Sequence, residues 1–236
     1  MSHLLAQALN STVDDILTAI AHGRRSVVDT KGKLAELHLH RLLLTFPFAE
    51  VNWVEKHGEP DFRVRLVYGE LSFKDYKIEC KNIRSLQVAN PDKFQVELQK
   101  TRHSKTGKTE RGYRNDHFHI LAVCLFNRTG GWTFLFHAAN TLPTDPKQPC
   151  YLQKMIAVPA PDSELGSWRR TPLEAIEDYE HARLQGIPAD QRATDSGRCE
   201  EAAGGNEHEG VRADVQPDHR PGGGRNDQRT PAEHPG

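Results

Sequence analysis

The chain has 236 residues, 36% of them hydrophobic, and a formal net charge of -1, but these averages join two unlike parts. Residues 186–236 hold nine Gly, five Pro, six Arg and ten acidic residues, with Ile187, Val211 and Val215 as their only branched aliphatics; the preceding 185 residues carry a net charge of +3 and ten of the thirteen His. The tail cannot bury enough apolar surface to offset the entropy of ordering it and is expected to be disordered, while the lack of any apolar run of about 20 residues or of a signal-peptide core argues against a membrane partner and for a cytoplasmic location.

From Leu4 to Ile20 the residues Leu5, Leu9, Val13, Ile16, Leu17 and Ile20 recur at spacings of three and four, an amphipathic helical pattern. Asn10-Ser11-Thr12 interrupts it, and Ser11 or Thr12 is placed to cap a second helix with Asp14 and Asp15 in its first turn. A further helix is expected from about Thr30 to Thr45, with Ala35, Leu39, Leu42, Leu43 and Phe46 as its buried stripe and Pro47 as its limit. Glu36 lies beside that stripe, available to a cleft between helix and sheet.

Ala49 to Glu55 reads as a strand and Lys56 to Pro60 as a turn. Asp61 to Val67 alternates, with Phe62, Val64 and Leu66 on one face and Asp61, Arg63 and Arg65 on the other. Across the connection from Tyr68 to Asp75 the pattern repeats: Tyr76, Ile78 and Cys80 point inward, and Lys77, Glu79 and Lys81 share the opposite face. Phe94 to Lys100 carries two signals, because Asn90-Pro91 resembles a helix start whereas Phe94, Val96 and Leu98 alternate with Gln95, Glu97 and Gln99 at the period of a strand. Strand is the preferred reading. Phe118 to Phe126 is the strongest strand signal, followed by a turn at Asn127 to Gly131, a strand from Trp132 to His137 and a short strand within Tyr151 to Val158. Thr171-Pro172 opens a last helix to about Leu184, with Thr171 as cap and Glu174 in its first turn.

These elements predict an N-terminal helical segment over residues 1–29, an α/β domain over residues 30–185 and the tail over residues 186–236. No glycine-rich loop joins a strand to a helix, so a dinucleotide or P-loop site has no support. Cys80, Cys124, Cys150 and Cys199 form no close pairs, and two of them fall inside strands, which favours buried thiols in a reducing compartment. His38 and His40 diverge by about 200° on a helix and cannot chelate together, while His117 and His119 share a strand face without a third ligand.

Glu36, Asp61, Glu79 and Lys81 stand out as a set, since Glu79 and Lys81 are two apart and point the same way from one strand while Asp61 opens the neighbouring one. The order Glu36, Pro60-Asp61, Glu79-Cys80-Lys81 resembles the PD-(D/E)XK nuclease superfamily, over roughly residues 30–140. The stretch from Gly32 to Leu37 is similar to that fold's first core helix, and Phe118 to Cys124 to one of its later strands. The resemblance implies a restriction-endonuclease-like core, a mixed central sheet flanked by helices, and a metal-dependent endonuclease of restriction or repair type acting on duplex or branched DNA. It implies Glu36, Asp61, Glu79, Lys81 and Gln99 as catalytic residues. Asp61, Glu79, the backbone carbonyl of Cys80 and Glu36 would hold Mg²⁺, with Mn²⁺ as a substitute. His119 departs from the pattern, standing where similar sequences often carry an acidic residue.

Between Lys100 and Arg114 six basic residues face one acidic residue, Glu110. Lys100, Arg102, Lys105, Lys108, Arg111, Tyr113 and Arg114 are the expected nucleic-acid contacts, with salt-dependent affinity. A homodimer, formed through the amphipathic N-terminal segment, would bring two sites to one duplex. The competing readings are an inactive nucleic-acid-binding protein of the same fold and a protein-interaction module.

Overall fold

The computed structural model describes residues 4–56, 58–69, 72–86, 94–99 and 112–186. The chain begins with helix α1 (Leu4–Ala8) and helix α2 (Val13–His22). Thr12 starts α2 through a reciprocal capping box with Asp15, in which each side chain takes the other residue's backbone N–H. Gly23, in an extended conformation, separates α2 from α3 (Arg24–Leu43). This long helix starts six residues before the expected Thr30, so a boundary at residue 29 falls inside it. Its first turns bury nothing fully and therefore leave no apolar period to read; an exposed Arg25–Asp29 pair at 3.0 Å lies there instead.

Five strands, β1 (Glu50–Trp53), β2 (Phe62–Tyr68), β3 (Ser72–Asn82), β5 (Ile120–Cys124) and β6 (Phe134–Ala138), form the central sheet in the order β1-β2-β3-β5-β6. β3 and β5 run parallel and all other neighbours antiparallel, which makes the architecture a mixed-sheet α/β fold. The β2–β3 connection is tighter than expected: β3 begins at Ser72, and Gly69 takes a left-handed φ of 70° in the turn. The crossover between β3 and β5 carries β4 (Gln95–Glu97), so the alternating segment is a strand, antiparallel to β9 (Met155–Ala157).

On one face of the sheet α3 and α5 (Pro172–Gln185) cover a core of Ala35, Leu39, Leu43, Phe62, Val64, Tyr76, Ile78, Cys80, Ala122 and Phe136. Among the described residues the other face is covered mainly over its β5–β6 side. There Leu121, Val123 and Leu135 meet Ile83, Val96, Leu98, Tyr113, Phe118 and Trp168 in a second core. Each fully buried Leu, Ile or Phe contributes about 1.5–3 kcal/mol to this packing. β5 and β6 are thus buried on both sides, and their near-continuous apolar runs follow from that burial.

The apolar run from Phe118 to Phe126 is not all strand. After Cys124 the chain turns into a short helix, α4 (Phe126–Thr129), closed by Gly130 at φ 72°. Tyr151 to Val158 likewise divides between β8 (Gln148–Leu152), paired with the two-residue β7 (Thr144–Asp145), and β9 in the other small sheet. α5 starts at the Thr171 capping box with Glu174, as the sequence pattern predicts. Among the described residues no helix is long and apolar enough to cross a membrane. Residues 187–236 and the basic positions Lys100, Arg102, Lys105, Lys108 and Arg111 lie outside the described residues.

Candidate active site

The β2–β3 ladder ends where Phe62 pairs with Ile78. Extending the register by one position sets Asp61 opposite Glu79. β3 continues past this point, pairing Glu79 with Leu121 and Lys81 with Val123 of β5. Its edge towards β2 then has no ladder partner, and a side chain takes over from the backbone: Asp61 Oδ2 accepts the N–H of Cys80 at 2.8 Å. A strand residue points its N–H and C=O to the same edge, which puts the Cys80 carbonyl beside Asp61 as well.

Glu79 and Lys81 point to the partly covered face. Glu79 is only 4% exposed, an arrangement that requires compensation for a carboxylate. Its Oε1 accepts the Tyr113 hydroxyl at 2.5 Å and forms an ion pair with the Lys81 ammonium. Lys81 Nζ also stands 5.2 Å from the centre of the Tyr113 ring. Tyr113 is itself fixed edge-on against Phe118 and His117.

Glu36 reaches the same end of the sheet from α3, on the opposite face. Its Oε2 accepts Lys33 Nζ at 2.6 Å and Trp53 Nε1 at 3.0 Å. Lys33 is a site residue the sequence reading did not single out, although its spacing of three from Glu36 places the two on one helix face.

Burial pushes the Asp61 carboxyl up to about 7; repulsion from Glu79 and Glu36 adds to this, and Lys81 and the Cys80 N–H oppose it. Burial acts to lower the Lys81 ammonium, but the Glu79 charge, with Tyr113 and Asp61, holds it above its ordinary range. Lys81 is therefore a fixed cation at neutral pH. Burial also raises the Tyr113 phenol, and Glu79 reinforces this, so its hydroxyl stays a donor to the carboxylate.

Two expected roles change with the coordinates. Tyr113, expected among the nucleic-acid contacts, is 5% exposed and donates its hydroxyl to Glu79. Tyr113→Phe is expected to cut any activity of this site about 10- to 100-fold, the usual penalty for losing a ligand-orienting hydrogen bond, while costing only about 1 kcal/mol of stability; steady-state cleavage kinetics and denaturant titration measure the two. Gln99, expected in the catalytic set, is engaged by Glu97 and Lys154: with its amide oriented to satisfy its neighbours, it donates to Glu97 Oε1 at 3.0 Å and accepts from Lys154 Nζ at 2.9 Å. Arg114 pairs with Asp116 at 3.1 Å. His119 completes the sheet, its Nδ1 accepting the Lys77 N–H at 3.1 Å and its ring lying against Tyr76 and Tyr179.

Among the described residues no group of three or more His, Cys, Asp or Glu side chains could by itself hold a metal ion. The expected three-carboxylate shell is thus not preformed, because Glu36 is turned to Lys33 and Trp53. What remains, two carboxylates on one rung and a backbone carbonyl, is a donor set of hard oxygens. It suits a small divalent ion such as Mg²⁺, which binds through one or two carboxylates, keeps several waters and completes its shell with substrate phosphate. The raised Asp61 carboxyl fits as well, since a cation is what would relieve its repulsion from Glu79.

No protein-family model matches the chain, and no curated protein matches it. Among solved structures it is similar to a bacterial homing endonuclease, I-Ssp6803I, with 13% sequence identity and a TM-score of 0.40 over 66% of this chain and 93% of that one.

Proposed function

We propose that the chain is a metal-dependent endonuclease of the PD-(D/E)XK type that hydrolyses phosphodiester bonds in DNA. The observation that carries this reading is the rung formed by Asp61 and Glu79, with the cationic Lys81 two positions along β3. Asp61, Glu79 and the Cys80 carbonyl would hold Mg²⁺, and Mn²⁺ would substitute for it. When bound, the ion supplies Lewis-acid charge neutralisation at the phosphate and a lowered pKa for a water molecule.

In hydrolysis the water oxygen bonds to phosphorus, one P–O ester bond breaks, and the products are a phosphate monoester and a hydroxyl group. Lys81 contributes as a charge: its ammonium orients the water and stabilises the negative charge that develops on the phosphate oxygens. Tyr113 fixes the Glu79 carboxylate, and Glu36, held by Lys33 and Trp53, adds negative potential beside Asp61. A homodimer would place two such sites on a duplex, and the exposed Leu5, Leu9, Val13 and Leu17 of α1, α2 and their junction form the apolar face for it.

One observation favours a second reading, an inactive binding protein of the same fold: the Glu79 charge is already matched by Lys81 and Tyr113. Incubation of the purified protein with plasmid, branched DNA and RNA separates the two. Nicks or breaks in DNA with Mg²⁺ or Mn²⁺, absent with EDTA, are expected of the nuclease; DNA binding without cleavage under any of these conditions overturns it.

A further inference from the structure

Along one face of β2 and β3, three cross-strand pairs in a row differ in charge. Arg65 faces Asp75 and is paired with it at 2.7 Å. Arg63 faces Lys77, a cation opposite a cation. One step beyond the ladder's last pair, Asp61 faces Glu79. Like charges directly opposite each other on a sheet oppose folding, whereas opposite charges support it. The fold thus holds two unfavourable rungs of opposite sign side by side, on the same face, where the first rung shows that the favourable pairing is available. Diagonal attraction, Arg63 to Glu79 and Lys77 to Asp61, acts over about 7–8 Å and offsets only part of this.

The cationic rung is also unequally compensated. Arg63 is held by Glu59 at 2.7 Å on the exposed surface, but Lys77 has no ion-pair partner among the described residues. Among the described residues the second core does not reach either of them, since it covers β5, β6 and the C-terminal half of β3. The exposed stretch of the face therefore begins at the cations and leads to the rim of the carboxylate site, where Asp61 is half-buried and Glu79 lies under the second core.

We infer that Arg63 and Lys77 form a phosphate-binding rung that holds the nucleic-acid backbone next to the carboxylate site. The inference rests on the nuclease reading for its choice of ligand. Two strand residues span about 6.7 Å, close to the separation of neighbouring phosphates along one nucleic-acid strand, so a phosphate on the cationic rung is next to the one at Asp61 and Glu79. The rung takes a phosphodiester backbone of any sequence, because contacts to phosphate position the strand and carry no base information.

The test is the double variant R63Q/K77Q, with Lys147→Gln, in the turn of the separate β7–β8 sheet, as control. Binding to fluorescent 20-base-pair duplexes of two unrelated sequences, and to single-stranded DNA, is followed by anisotropy in EDTA so that cleavage cannot intervene. The rung predicts that the double variant binds both duplexes about 10-fold more weakly at moderate salt, with the slope of log affinity against log salt reduced by about 1 to 2. Lys147→Gln should match the wild type. The double variant should also keep the wild-type melting temperature or exceed it, which excludes misfolding as the cause. An affinity and salt slope equal to wild type in the double variant overturn the inference, as does a wild type with no salt-sensitive binding to any of these DNAs. A wild type that binds as described but never cleaves overturns the nuclease reading and leaves the rung standing; cleavage by wild type with unchanged binding in the double variant does the reverse.

Discussion

Asp61→Asn is expected to abolish Mg²⁺-dependent cleavage, by on the order of 10³-fold or more, and at the same time to raise the melting temperature of the metal-free protein at pH 8. Both effects have one cause. In the fold Asp61 releases its proton near 7, against about 3.9 in an unfolded chain. The folded state therefore binds the proton more tightly than the unfolded state. The stability this group contributes is fully present below about pH 3.9 and is lost as pH rises through about 7. At pH 8 the carboxylate stands ionised beside Glu79 in a poorly solvated place, and an amide of the same shape removes that cost while still accepting the Cys80 N–H. The gain is about 1–3 kcal/mol, or about 2–8 °C for a domain of this size. It should shrink as pH is lowered to 5, where Asp61 in the wild type is already neutral. Thermal melts of both proteins in EDTA across this range measure it. An Asp61→Asn variant less stable than wild type at every pH would show that the carboxylate is not under electrostatic strain.

Lys81→Met should abolish cleavage and destabilise the fold by about 2–4 kcal/mol, because it leaves the Glu79 carboxylate buried with the Tyr113 hydroxyl as its sole partner among the described residues. Glu79→Met combined with Lys81→Met should recover most of that stability, since no charge is then left unmatched, and should remain inactive. The coupling between the two substitutions, read by urea denaturation of both single variants and the double, is therefore large and favourable. Additive effects would mean that Glu79 and Lys81 do not act as a pair. The paired result would explain why a charged strand position persists under an apolar layer: the ion pair holds the geometry of the site at a cost in stability.

The sequence carried the site more clearly than its surroundings. Period-two alternation located β2 and β3, and because side chains of a strand alternate strictly, Asp61, Glu79 and Lys81 could be put on one face before any coordinates were known. The cap at Thr171 was legible for a similar reason and that of α2 was narrowed to Ser11 or Thr12, while the reciprocal bonds of Asp15 and Glu174 came with the coordinates. Tyr113 was not legible. Among basic neighbours it reads as exposed, and only the packing of Phe118 and the second core turns its hydroxyl to Glu79. The early start of α3 left no trace because Arg24 to Asp29 bury nothing fully. Gln99 was placed through the family resemblance, and the short strand β4 instead brings its amide to Glu97 and Lys154.

The central claim is that Asp61 and Glu79 together take a divalent cation, and titration calorimetry with MgCl₂ at pH 6.5 tests it without a substrate. Ion binding should pull the Asp61 proton off and give a saturable binding heat that changes with the ionisation enthalpy of the buffer, and that disappears in Asp61→Asn and in Glu79→Gln. Mg²⁺ binding of equal strength in wild type and both variants, or no binding by wild type with either Mg²⁺ or Mn²⁺, would contradict it.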